Sequence, residues 1–588
     1  MRTFSAASVL ILTNTASAFS LRQNILRNSN SYGLKISTLV KNYMQTKDTM
    51  FFANEVSNMP GRAKDERRVL GSQENLMLPR QYAPGDVKFP QMNHVSCTIL
   101  SATPPENLLR EAIDQAIMSH PLLRCHVEGN GEPDERIDLF QMVRKGEPNP
   151  CTFVSPESSF TSKDVLTIVQ VEGSNRSSID SSWEAAFKRD LDNGSWCNVE
   201  KGPLWKMEFH RPKSGCGTCA IIFSFNHAIS DQSSANMLTD QIIANIAALE
   251  GGEEMKPTAK LEMPMALEDS VLGSKKRFSD IQVGGFTPET LQYVAGKAGE
   301  GLKNPVILPD STAPKDGGGL LGALTIITGK AAGGVDETSQ ERKSTLQFRK
   351  LSEKATSALL AKCRQNGVSM TNALTAAMTL TATDFIDNGV KSGSSRNYKV
   401  LQSLDMKRFG DQLDNGETIA CMAGSMDLMH GPLDDRSGET LRQNPSTKQI
   451  NMFWGLAREG KEQTSEFVKS DGPRNAARVF DFAMTISDMN NLVDLTSKSS
   501  DSLGRAYSAG VTNVGVYDRQ KAVRREGDIE RDTLKVSDFV NQNGITHTPL
   551  IFISFILVPR PSTAIMRLKI SILQRPMPGQ GACTKPHV

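Results

Sequence analysis

The sequence predicts an α/β protein of two lobes, and three observations carry that expectation. Strand-like and helix-like patterns are mixed in both halves of the chain, which argues for sheets covered by helices on either side of a break. A Gly-rich stretch, "PKDGGGLLGALTIITGKAAGG" (314–334), lies between the halves. At 588 residues the chain is long enough for two or three domain-sized units. The expected organisation is a presequence over 1–55, an N-terminal lobe over 56–256, a linker or crossover over 257–340 and a C-terminal lobe over 341–588.

The elements follow in order. "HVSCTILSA" (94–102) has the composition of a strand. In "TPPENLLREAIDQAIMSHPLLRCHVEG" (103–129), Thr103, Pro104 and Glu106 fit N-cap, first-turn proline and capping-box positions. Leu108, Leu109, Ala112, Ile113, Ala116 and Ile117 then keep the helical period, and Pro121 ends the helix before an extended pattern. "SSWEAAFKRDLDNG" (181–194) reads as a second helix. "GPLWKMEFHRP" (202–212) and "CAIIFSFNH" (219–227) read as neighbouring strands around a turn. From Asp231 onward Ala235, Leu238, Ile242, Ile246 and Leu249 step by three or four, so a helix starts there and buries that stripe.

From Pro257 to Gln340 the sequence turns loop-like, and "TGKAAG" lacks the spacing of a phosphate-cradling loop. Order returns at 344–385 with a strand and two helices broken at Gly367. "YKVLQSLDMKRF" (398–409) and "TIACMAGSMDLM" (418–429) read as strands, "NMFWGLAREG" (451–460) as a helix start, and 508–573 as β-rich. "PLIFISFILVP" (549–559) is half the ~20 apolar residues a membrane-spanning helix needs and reads as a buried strand.

Composition narrows the function classes. Hydrophobic residues make up 38% and charged residues 22%, as in a globular protein. Lys+Arg 67 against Asp+Glu 65 leaves a formal charge of +2, no electrostatic footprint for nucleic acid or an anionic membrane. The nine cysteines are irregularly spaced, so free buried thiols are expected rather than a disulfide framework. Cys216 and Cys219 have C-x-x-C spacing, but a redox pair opens a helix and here a strand-like run follows; a hairpin turn is expected. His94, His126 and His210 sit in strand-like runs without metal-ligand spacing, and no Gly-x-Ser-x-Gly elbow is present.

The N-terminus has a basic Arg2, a short apolar run from Ala6 to Leu12 and small residues at Ala16 and Ala18, the layout of a cleavable signal peptide. No acidic residue follows until Asp48, which is transit-peptide-like. The junction "TASAFS" resembles the A-S-A-F signature of bipartite plastid presequences, which implies a plastid protein; the secretory pathway and the mitochondrion are the alternatives.

The chemistry concentrates in "FNHAISDQSS" (225–234), where a strand ends in His227 and Asp231 follows four residues on. A neutral imidazole there can take the proton of an alcohol or amine as it attacks a carbonyl, worth typically ~10²–10⁴ in rate. The aspartate can cap the following helix or pair with a basic residue. Taken alone, a strand histidine is more commonly a satisfied core residue.

Four blocks change that balance: "RRVLGSQENLML" (67–78), "LLREAIDQAIMSHPLLRCHVEG" (108–129), "EKGPLWKMEFHR" (200–211) and "FNHAISDQSS". In this order they resemble the R-x-L-x-x-x-E, H-P-L-L-R, G-P-L-W and H-H-x-x-x-D-G segments of the condensation-domain and chloramphenicol-acetyltransferase-like superfamily. "LSEKATSALLAKCRQNGVSMTNALTAAM" (351–378) is similar to the helix pair opening that family's second lobe. "SLDMKRF" (403–409) and "SAGVTNVGV" (508–516) are weaker echoes, and the resemblance covers roughly residues 65 to 570. It implies a two-lobed fold with the active-site channel between lobes. It also implies transfer of an acyl group from a thioester, most simply acyl-CoA, to an alcohol or amine, with no bound cofactor or metal. Carrier-protein-dependent condensation and a catalytically silent binding protein are the alternatives.

Carried onto this chain, His227 is the general base and Asp231 the structural aspartate. Arg408 is a candidate partner for Asp231 or else a solvated arginine at a strand end, and Asn513 is a candidate channel residue. His120 and Arg124 take packing roles. Two positions depart from the pattern. Asn226 stands for the first histidine, where it can hydrogen-bond backbone or neighbouring strands. Gln232 replaces the glycine after the aspartate and puts a side chain where the family has none.

Overall fold

The structure, a computed structural model, describes residues 65–78, 93–129, 137–138, 143–144, 151–156, 160–173, 175–192, 196–252, 260–273, 288–302, 348, 351–383, 395–410, 418–434, 445–486, 507, 509–514 and 536–539. The expected presequence, the Gly-rich stretch, the apolar run 549–559 and the C-terminal tail lie outside these residues.

The mixed α/β class is observed. The strands are β1 (Glu66–Val69), β2 (Asn93–Leu100), β3 (His126–Glu128), β4 (Ile137–Asp138), β5 (Val143–Arg144), β6 (Thr152–Ser155), β7 (Leu166–Val171), β8 (Trp205–Pro212), β9 (Cys219–Asn226), β10 (Ser395–Asp405), β11 (Ala423–Asp434), β12 (Ala509–Val511) and β13 (Val536–Phe539). The helices are α1 (Ser72–Met77), α2 (Glu106–Ser119), α3 (Ser162–Val165), α4 (Arg176–Asp192), α5 (Gln232–Glu250), α6 (Leu267–Leu272), α7 (Pro288–Leu302), α8 (Glu353–Gln365), α9 (Met370–Thr383), α10 (Thr447–Lys469) and α11 (Gly472–Ile486).

A 5-stranded sheet of order β13-β2-β9-β8-β7 organises the first half. Its central strand β9 is buried along its whole length, and the reason is that helices cover both faces. Cys219, Ile221, Phe223 and Phe225 enter the core shared with α2 and α5, while Ala220 and Ile222 enter the core shared with α4. The alternation of a strand sends these sets to opposite faces, so the run reads as continuously apolar. Full burial of each phenylalanine contributes about 1.5–3 kcal/mol. On β2 the same rule sends Val95, Cys97 and Ile99 toward α4, which leaves His94 and Ser96 on the α5 face. Antiparallel pairing sets Asn93 opposite Asn226 and His94 opposite Phe225, so the start of β2 adjoins the end of β9.

Local details sharpen several expectations. Cys216 lies in the hairpin between β8 and β9, and Cys219 opens β9 as a buried free thiol. Thr103 is not the N-cap of α2: Pro105 holds that place, and the Thr103 hydroxyl instead donates to the Gly217 carbonyl across the hairpin (2.8 Å). Residues 121–124 form a 3-10 turn rather than extended chain, because Arg124 Nη1 reaches back to the carbonyls of Ile117 (3.0 Å) and Met118 (2.7 Å) at the end of α2. His120 is buried with Nε2 against Gln241 Oε1 (2.7 Å), and both residues pack as expected. Gly202 is required: its φ is +64°, and a Cβ there would lie 2.7 Å from the Cys125 carbonyl oxygen.

The second half builds a 3-stranded sheet of order β11-β10-β12 with its own core, in which Cys363 and Val368 join α9, Tyr398 of β10 and Leu456 of α10. Two observations qualify the expected boundaries. The stretch 257–340, read as loop-like, contains α6 and α7. The C-terminal segment is not confined to its own sheet, since β13 pairs antiparallel with β2.

The two halves also meet through α1. Arg68 grips Glu74 fork-to-fork (2.8 and 2.6 Å), which fixes the turn into α1. From that helix Ser72 Oγ donates to Asp481 Oδ1 (2.6 Å) and Gln73 Nε2 to the Ala423 carbonyl (3.1 Å). No helix among the described residues is long and apolar enough to cross a membrane.

Candidate active site

The end of β9 folds into a turn whose geometry begins at Asn226. Asn226 is fully buried; its Oδ1 accepts from the Ala228 amide (2.9 Å) and its carbonyl from the Ile229 amide (3.1 Å). Its own amide donates to the Leu204 carbonyl (2.8 Å), which ties the turn to β8. The asparagine therefore shapes the turn that presents His227.

His227 stands half-buried at that turn. Its Nδ1 lies 2.8 Å from the Ser230 carbonyl oxygen and 3.7 Å from Cys421 Sγ. A carbonyl only accepts, so Nδ1 carries a proton, and in the neutral ring the lone pair is then on Nε2. Burial pushes the Cys421 thiol well above its ordinary range, so it is a neutral, weakly polar neighbour of the ring.

Asp231 is the N-cap of α5. Its Oδ1 accepts from the Ser234 amide (2.9 Å), and its Oδ2 accepts from the Met422 amide (3.0 Å), 191 residues away. Ser234 Oγ adds a bond to the Ala420 carbonyl (2.7 Å). The strip 419–422 ahead of β11 is thus fastened onto the motif turn, and Ile419 and Cys421 join the core of the first half. The strip's attachment explains why Cys421 faces His227.

Arg408 does not partner Asp231. Its side chain is 78% exposed, with Nε 3.6 Å from Asp405 Oδ2 in the same 3-10 turn. The physical reason is that Asp231 has both carboxylate oxygens engaged by backbone amides, so the buried charge is satisfied without a cation. Asn513 follows β12 and donates from Nδ2 to Thr371 Oγ1 at the start of α9 (2.8 Å). His227, Asp231, Asn226 and Gln232 are brought together; Arg408 is not.

Gln232 folds onto β2. Its Oε1 lies 3.2 Å from His94 Nε2, and its Nε2 donates to Ser96 Oγ (3.1 Å) and Asn236 Oδ1 (2.9 Å). His94 is the residue that sequence reasoning missed. Its ring stacks on Phe225 (centroids 5.6 Å apart) and tilts against His227 (5.5 Å), with Nδ1 3.3 Å from Ser230 Oγ. Burial, then the neighbouring His227, push its imidazole well below the ordinary value, so it is neutral at neutral pH. Only the β2–β9 register signals its proximity, and register is not written in either strand alone. Among the described residues no group of three His, Cys, Asp or Glu side chains is placed to hold a metal ion.

No family model and no curated protein matches the chain. Solved structures do. A trichothecene 15-O-acetyltransferase from Fusarium sporotrichioides is similar at 11% identity and TM-score 0.47, over 73% of this chain and 77% of that one. The first condensation domain of the calcium-dependent antibiotic synthetase is similar at 12% identity and TM-score 0.42, over 70% and 75%. The epimerization domain from the third module of tyrocidine synthetase B is similar at 11% identity and TM-score 0.42, over 77% and 89%. These are likenesses of fold at low identity, and none carries a site residue onto this chain.

Proposed function

We propose that the protein is an acyltransferase that moves an acyl group from a thioester to an alcohol or amine, with His227 as general base. One observation carries the proposal: the Ser230 carbonyl holds the proton on His227 Nδ1, which leaves Nε2 as the basic nitrogen. In the reaction Nε2 takes the acceptor's proton as its oxygen or nitrogen bonds to the thioester carbonyl carbon. The tetrahedral oxyanion then collapses, the carbon–sulfur bond breaks, and the departing thiolate recovers the proton from the imidazolium. Each proton has a place on His227, and such a base is worth typically ~10²–10⁴ in rate.

Acyl-CoA is the simplest donor for a chain acting alone; a carrier-protein thioester supplied in trans is the alternative. A second reading, ligand binding without turnover, is favoured by Gln232, whose side chain stands beside His94 where a glycine would leave space. A thiol-release assay separates these, using acetyl-, butyryl- and palmitoyl-CoA with alcohol and amine acceptors, on wild type and His227→Ala. Turnover lost in the variant supports the base; equal turnover in both refutes it. Saturable binding without turnover in either protein, with Gln232→Gly gaining turnover, supports the second reading. The presequence features favour a plastid location, which a fluorescent fusion of residues 1–55 tests; cytosolic signal rejects it.

A further inference from the structure

We infer that Ser182 is an activated nucleophile, a second reactive site that takes the acyl group of a thiol or aryl ester onto its hydroxyl with His210 as base. It lies on the opposite face of the 5-stranded sheet from His94 and is independent of His227. On β8, Trp205, Met207 and Phe209 enter the core shared with α2 and α5, so strand alternation sends Lys206, Glu208 and His210 to the α4 face. Helix α4 meets them with Ser182 and, two turns further along the same helix face, Arg189. Ser182 Oγ lies 2.7 Å from His210 Nδ1, and His210 Nε2 lies 3.3 Å from Glu208 Oε2. Glu208 Oε1 is taken by Arg189 and Lys206, and the Lys206 ammonium also meets Asp190 Oδ2 at 2.8 Å. Hydroxyl, imidazole and carboxylate thus stand in one row.

The protons of the row are assigned by its ends. Burial opposes a charge on Glu208, but the bond from His210 and the Arg189 and Lys206 charges outweigh it and hold the carboxyl at about 2, well below 4.5. An ionised carboxylate only accepts, so His210 Nε2 carries a hydrogen, and in the neutral ring the lone pair is on Nδ1. The Ser182 hydroxyl donates to that lone pair, within the distance expected of a nucleophile and its base. Ser182 is only half-buried, whereas His210 is 2% exposed and Glu208 8%, so the serine is the member of the row that a reagent reaches. In the reaction Ser182 Oγ bonds to the ester carbonyl carbon as its proton passes to His210 Nδ1. The bond from that carbon to the leaving sulfur or oxygen breaks, and its electron pair departs with the thiolate or phenolate. The imidazolium then loses its proton to solvent. His210 is too deeply buried to follow the leaving group with a proton, which restricts the donor to esters whose leaving group departs as an anion. The product is an acyl-serine, a covalent mark on the chain.

The test treats the full chain carrying His227→Ala, in which the candidate active site does not consume the reagent, with p-nitrophenyl acetate. Peptide mass spectrometry reads acetyl on Ser182 and on its neighbour Ser181, which is the more exposed of the two and serves as the unactivated reference. Ser182 should acetylate about a hundredfold faster than Ser181 or more, the low end of what a positioned base supplies, and adding His210→Gln should remove that advantage. Long-range nitrogen–proton correlations on the wild-type chain labelled with 15N-histidine, with the His210 signal assigned by its loss in His210→Gln, should show the Nε2–H tautomer that Glu208 imposes. Equal acetylation of Ser181 and Ser182 overturns the inference without any change to the row, so the test stands even where His210→Gln does not fold. A fast Ser182 whose rate survives His210→Gln in a folded protein overturns it as well, as does a neutral His210 in the Nδ1–H form; the three groups then only pack. Loss of the acyltransferase proposal for His227 changes none of these readings.

Discussion

Asp231 offers the sharpest test of how the site is held, because its two carboxylate oxygens serve different parts of the chain. Replacing it with alanine removes an N-cap, worth roughly 1 kcal/mol, and the acceptor of the Met422 amide, a bond to a charged group worth roughly 2 kcal/mol. The expected total is about 3 kcal/mol. Asp231→Asn separates the two parts. The asparagine carboxamide has one oxygen and can serve only one of the two backbone N–H groups while its NH₂ faces the other; with the oxygen kept at the Ser234 amide, as an N-cap asparagine prefers, the cap survives and the Met422 bond is lost. Hydrogen exchange read by mass spectrometry on peptides spanning 418–424 measures that bond directly. A loss of about 2 kcal/mol corresponds to about thirtyfold faster exchange through local opening. His227→Ala is the control, since that side chain does not touch the Met422 amide, and it should leave the protection intact. Unchanged exchange at Met422 in Asp231→Asn would refute the claim that this carboxylate fastens the strip.

Three further outcomes are expected. His120 and His430 are each pushed from 6.5 to about 4, chiefly by burial. The unfolded chain protonates them near pH 6.5 and the folded chain only near pH 4. Stability is therefore insensitive to them above pH 6.5 and declines as pH falls from 6.5 toward 4, by up to roughly 3 kcal/mol each. Urea midpoints should drop between pH 7 and 5, and His120→Gln with His430→Gln should flatten that slope; a slope unchanged by the pair contradicts the assignment. Of the described cysteines only Cys216 is partly exposed, so timed iodoacetamide labelling should modify it first, and equal rates at Cys421 or Cys97 would disprove their burial. Gly202→Ala should cost roughly 2 kcal/mol or more, since a left-handed backbone and a contact with the Cys125 carbonyl both oppose it; an unaltered melting temperature would count against that geometry.

Much of the fold was legible because local rules decided it. The run from Cys219 to Asn226 is apolar on both faces, so it had to be a covered strand, and Asp231 ahead of a three-four stripe had to begin a helix. Pro121 and Gly367 marked breaks that the structure places beside them. The misreadings share a cause. Thr103 looked like a cap, but its hydroxyl was claimed by a hairpin 114 residues away. Helices α6 and α7 were hidden in weak patterns, and α6 is tied down by a distant contact, Glu268 Oε1 accepting from the Gln73 amide (2.7 Å). β13 was invisible as a partner of β2 because pairing over more than 400 residues leaves no local trace.

The same division runs through the candidate site. His227 and Asp231 belong to one turn and stand four residues apart, and the blocks of resemblance around them singled them out where the spacing alone did not. The resemblance suggested a basic partner for Asp231, and a carboxylate at 7% exposure does demand compensation. That demand was right, and its answer lay in backbone amides, which every residue carries and no motif advertises. Arg408 was the only kind of partner a sequence can show, and Met422 the kind it cannot. His94 was passed over for the converse reason: alone on its strand it had no spacing to any other ligand or base, and its place beside His227 follows only from standing opposite Phe225. Gln232, the conspicuous departure from the family pattern, is therefore better understood with His94 than without it. A glutamine beside the motif aspartate would be a loose polar side chain; held by His94, Ser96 and Asn236, it lies fast against β2 beside the ring that tilts on His227.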